Sequence, residues 1–105
     1  MIWCQIFKKK VVKKLYKPYI ISYDLKNPGQ KYKDVFEVIE QFGSYIKVLD
    51  SVWLVRTSLT PNEMVDKIHN VADNNDHIFV TEISINYQGW LDEESWEFIK
   101  KNIYI

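Results

Sequence analysis

Cysteine is nearly missing from this chain of 105 residues. Cys4 is the only one, so no disulfide framework can be drawn and a reducing compartment, the cytoplasm, is the expectation. Glycine and proline are scarce, three of each, and Gly29, Gly43 and Gly89 stand too far apart to form a phosphate-binding loop. No run approaches the roughly 18 apolar residues of a membrane-spanning helix, so integral membrane association is not expected. No nucleophile-elbow sequence is present, which removes a Ser-His-Asp hydrolase from consideration. His69 falls inside an expected helix and His77 at a strand start, so neither builds an imidazole-based metal site.

Net charge is absent as well, but the zero conceals a division. Residues 1–17 hold six lysines and no acid, whereas residues 18–105 carry eight basic and fourteen acidic residues, a net of −6. An acidic body argues against a broad nucleic-acid footprint on the folded domain. The basic stretch follows a short apolar group (Ile2, Trp3, Cys4, Ile6, Phe7), the reverse of the order in a secretory signal, and no signal peptide is expected. Two readings stand for residues 1–17. One is a basic arm lying on nucleic acid or an anionic membrane surface, with Val11, Val12 and Leu15 on its apolar side; the other is a poorly ordered extension.

What is present is apolar and aromatic. The apolar share of 47% and aromatic share of 15% suit a single domain with a real core, over residues 18–105. Tyr19, Ile21, Tyr23 and Leu25 alternate with Ile20, Ser22 and Asp24, which predicts a strand that ends on a carboxylate. A turn is expected at Asn27-Pro28-Gly29, then a helix over 31–42 on the spacing of Tyr32, Val35, Phe36, Ile39 and Phe42, stopped by Gly43. Ser44–Leu49 and Val52–Thr57 read as a hairpin across Asp50-Ser51.

The strongest local signal opens the second helix. Thr60 is placed as N-cap, Pro61 at the first helical position and Glu63 as the returning half of a capping box, with Leu59 and Met64 as a hydrophobic staple. His77–Ile85 reads as a fourth strand, and Asp92 caps a last helix to about Lys101 with Trp96, Ile99 and Ile103 inward. The order β-α-β-β-α-β with a terminal helix predicts an α+β, ferredoxin-like βαββαβ sandwich, both main helices on one face and the first and third strands central. Asp24 then lies beside Ser51, while Glu82 faces Tyr19 as an ordinary strand carboxylate. Tyr87, Trp90 and Trp96 suit a subunit seam, core filling or base stacking, and Asp92, Glu93 and Glu94 suit a helix N-terminus.

Tyr-Ile-Ile-Ser-Tyr-Asp24, a helix ending Phe42-Gly43-Ser44, and Leu49-Asp50-Ser51-Val52-Trp53 together resemble a family. It is that of the small CRISPR-associated adaptation proteins called endoribonuclease-like, and their relatives, the virulence-associated protein D ribonucleases. The resemblance covers roughly residues 18–85. It implies a ferredoxin-like fold, a homodimer, and a divalent metal held between protomers by the aspartate that ends the first strand, here Asp24, with Ser51 nearby. Mg²⁺ or Mn²⁺ is the implied cofactor, because phosphodiester hydrolysis by a hard cation needs oxygen ligands. In that family the following loop carries arginines suited to phosphate, where this chain has Lys26 and Lys31, with Lys33 beyond, and lysine binds phosphate only as a point charge. Asp24 before Asn-Pro-Gly also reads as an ordinary turn residue.

Two functions follow. One is a non-catalytic homodimeric module that binds nucleic acid or a protein partner. The other is a metal-dependent endonuclease with Asp24 from each protomer at the metal, Ser51 beside it, and Lys26, Lys31 and Lys33 on the backbone phosphates.

Overall fold

Apolar residues at every second position give β1 (Lys17–Asp24) one fully buried face, Tyr19, Ile21 and Tyr23, and a half-open one. The computed structural model describes residues 15–26 and 30–105. The expected turn at 27–29 and most of the basic stretch lie outside the described residues. After β1 come α1 (Gln30–Glu40), β2 (Ser44–Leu49), β3 (Val52–Thr57), α2 (Pro61–His69), β4 (His77–Glu82) and α3 (Glu93–Phe98), the last widening into a π-helical turn over Ile99–Ile103. The molecule is thus a small α+β protein with a four-stranded antiparallel sheet in the order β2-β3-β1-β4. β1 and β3 are central.

Both main helices cover the same face. Val35 and Ile39 of α1 and Met64 and Ile68 of α2 join Tyr19, Ile21, Tyr23, Trp53 and Val55 in one core. Two local devices fix how the helices meet the sheet. The end of α1 tightens, Gln41 and Phe42 donating to the Val38 and Ile39 carbonyls, and the chain reverses at Gly43 with φ +154°. A Cβ there would collide with the Arg56 carbonyl oxygen of β3, so this close approach requires glycine. The start of α2 carries the complete capping box: Glu63 N–H to Thr60 Oγ1 at 3.1 Å and Thr60 N–H to Glu63 Oε1 at 2.9 Å.

The C-terminal helix lies on the opposite face. Ile99 and Ile103 are buried there, against β2 and β3, and Arg56 Nη1 donates to the Ile103 carbonyl at 2.9 Å. The sheet is therefore enclosed on both sides over its β2–β3 half, while Phe79 on β4 stays 67% exposed.

β4 ends at Glu82, three residues short of the expected Ile85. The cause is Pro18: it accepts from Ile83 N–H at 3.0 Å but has no N–H to return, so the ladder stops there.

Candidate functional site

The register that makes β1 central also decides what surrounds its last residue. Asp24 lies directly opposite His77, the first residue of β4. On its other side Tyr23 N–H donates to the Ser51 carbonyl at 3.2 Å, so the β2–β3 turn does sit beside the strand end as expected. Glu82 pairs with Tyr19, remote from Asp24, and binds Lys17 at 3.7 Å.

Asp24 itself is exposed, and its Oδ2 accepts from Lys26 Nζ at 2.8 Å. That bond and the ammonium charge hold the carboxyl below its ordinary range, with a smaller contribution from His77. A carboxylate in this state is charged at neutral pH and a weak proton acceptor, far from the near-neutral pKa that suits general acid–base work. Of the other cationic candidates, Lys33 is exposed on α1, and the Lys31 side chain lies outside the described ones.

Among the described residues no group of three or more His, Cys, Asp or Glu gathers where it could hold a metal ion. At this strand end the Asp24 carboxylate is engaged by the Lys26 ammonium.

What sequence reasoning misses is the residue that shapes the loop. Asp76 is buried, its Oδ1 accepting from Lys26 N–H at 2.7 Å and its Oδ2 from Asp73 N–H at 2.8 Å. It ties the segment leaving β1 to the turn before β4, and so places Lys26 beside Asp24. Its only sequence signal is its place in Asp73-Asn74-Asn75-Asp76, a run that reads simply as a helix end. His77 is also missed, because pairing across strands is invisible without the register.

A cleft of about 520 Å³ lies on the opposite side of the molecule from α1 and α2. Ile20, Val52 and Leu54 form its floor and the C-terminal segment its wall. In that wall Tyr87 stacks on Tyr104 at 4.5 Å and on Trp96 at 6.0 Å, and Trp90 at the rim is 99% exposed. Of the three aromatics expected at a seam or on bases, Tyr87 and Trp96 are thus stacked, while Trp90 stands free in solvent. Trp53 is core, its Nε1 donating to the Tyr23 hydroxyl at 3.0 Å.

No protein-family model matches the chain, and no curated protein matches it either.

Proposed function

We propose that the chain is a non-catalytic, homodimeric binding module on a ferredoxin-like βαββαβ scaffold with an added C-terminal helix. The strand order and the shared face of α1 and α2 support the scaffold. The observation that carries the non-catalytic reading is the Lys26 ammonium on Asp24 at 2.8 Å. The carboxylate that would bind metal is instead paired with an ammonium from its own loop. Between the two classes of partner, protein is favoured. Trp90, Ile85 and Leu49 are exposed apolar groups on or beside the cleft side of the sheet, and the body from residue 18 onward has a net charge of −6.

The nuclease reading keeps one point in its favour, the exposed Asp24 at a strand end with His77 opposite. In that reading Asp24 from each protomer holds Mg²⁺ or Mn²⁺, Ser51 stands nearby, and Lys26, Lys31 and Lys33 contact phosphate.

Labelled RNA and DNA incubated with the full chain and Mg²⁺ or Mn²⁺, against chelator, separate the two. The expected result is no cleavage. Metal-dependent cutting that Asp24→Ala abolishes would establish the nuclease. Nucleic-acid binding is then measured against salt: contacts with phosphate weaken steeply as salt rises, and a chain lacking residues 1–17 shows whether the basic stretch supplies them.

A further inference from the structure

β4 is an outer strand, and one bond fixes which of its groups are spoken for. Ile83 N–H donates to the Pro18 carbonyl, and hydrogen-bonded and non-hydrogen-bonded pairs alternate along an antiparallel ladder. Thr81, Phe79 and His77 therefore turn their backbone groups toward β1. Ile78 and Val80 turn theirs away from the sheet, and among the described residues nothing bonds to them.

Natural outer strands are normally made unfit for further pairing. β2, the other outer strand, has a register break between Lys47 and Leu49, a lysine, and the C-terminal helix packed against it. β4 has no proline, no lysine and no register break, and it displays Phe79.

We propose that the outer edge of β4 pairs antiparallel with β4 of a second copy, so that the two sheets run on as one. The side chains choose the register. A two-fold axis normal to the sheet matches residues on the same face, and centring it on Phe79 puts the two rings in a non-hydrogen-bonded pair. In such a pair side chains approach most closely, with Cα atoms about 4.5 Å apart. Ile78 and Val80 of each copy then exchange their free backbone bonds across the seam. Within His77–Thr81 no carboxylate or ammonium meets its own image, because that stretch contains none. Glu82, next along, falls opposite the partner's Asp76; Glu82 is paired with Lys17, and Asp76 is bonded to the Lys26 and Asp73 amides of its own chain. The matching of the two exposed Phe79 rings is what favours a copy over a foreign strand.

The inference rests on the homodimeric part of the reading above and not on what the dimer binds. It sets the two Asp24 carboxylates about 20 Å apart, three strand spacings across and four residues along, too far to share an ion.

Val80→Pro tests it in the full chain. The Val80 N–H makes no bond within its own sheet, so proline removes no ladder bond of the single copy, although it also trims the half-buried valine side chain from the core. Phe79→Lys, at an exposed position, is the second variant. Light scattering over a concentration series is combined with amide exchange at Ile78 and Val80. The expected result is a wild-type dimer whose Ile78 and Val80 amides exchange at least tenfold more slowly as the dimer forms, and folded, monomeric variants. A wild-type dimer in which these amides exchange freely, or a Phe79→Lys dimer of wild-type strength, overturns the β4 seam and leaves dimerisation standing. A monomeric wild type overturns both. Slow exchange at Val80 in a monomer assigns the edge to a segment of the same chain, and overturns the proposal as well.

Discussion

The Tyr23 hydroxyl occupies the middle of a buried relay, accepting from Trp53 Nε1 at 3.0 Å and donating to the Asp50 carbonyl at 3.4 Å. Tyr23→Phe leaves the Trp53 indole N–H without an acceptor, which costs about 1–3 kcal/mol and is read by urea unfolding. The same hydroxyl sets an alkaline limit. Burial raises its pKa above 10.0, opposed in part by the bond from Trp53. A phenol whose folded pKa is raised is favoured by the fold in its neutral form. Its contribution is complete below pH 10 and is lost as pH rises through the folded value. Wild type is therefore expected to lose stability in that alkaline range, and Tyr23→Phe to lose less of its remaining stability there. Asp76 is the other residue whose loss is felt beyond itself. Asp76→Asn keeps the volume but turns an amide donor toward one of two N–H groups, at a cost of about 1–3 kcal/mol. Faster exchange of the Lys26 amide shows that the site loop has been released.

At the scale of elements, what could be read from the sequence was what local chemistry determines. Thr60, Pro61 and Glu63 announce a helix start within four residues, and the capping box is present bond for bond. Thr60→Ala is expected to cost about 1 kcal/mol in chemical denaturation, with no change in the position of the other elements. Gly43 was legible as a helix stop, but the severity of its constraint was not. That comes from the Arg56 carbonyl of a strand more than ten residues later, and Gly43→Ala should destabilise by more than 1 kcal/mol in the same assay. The early end of β4 and the π-helical turn over Ile99–Ile103 were not legible. The first depends on which residue of β1 happens to be proline, a matter of register, and the second on how the C-terminal helix seats against β2 and β3.

For the whole molecule, the alternation in β1 and β3 and the helical spacing of Val35, Ile39, Met64 and Ile68 predicted one layered core with two helices on it. The sheet order agrees with that expectation. The second layer was hidden because Trp96, Ile99 and Ile103 indicate an apolar helix face without saying which side of the sheet it meets; the course of residues 83–92 decides that. Ile103, fully buried between this helix and β2–β3, is its anchor. Ile103→Ala is expected to cost about 2–5 kcal/mol, and the loss should register as greater exposure of Trp96 in fluorescence. The candidate site was half legible: the turn at Ser51 lies beside the end of β1, where Tyr23 N–H meets the Ser51 carbonyl, but the bonds of Lys26 and Asp76 join parts of the chain that pattern reading treats separately.

The central position of β1 also bears on how the chain emerges during synthesis. Its two ladders reach forward to Thr57 and to Glu82, so translation must pass both before the strand has neighbours on either side. Until Glu82 is made, Ile21 and Tyr23 can lie against α1, β3 and α2 but lack β4, and pairings of this sequence separation make a nascent chain complete its sheet late.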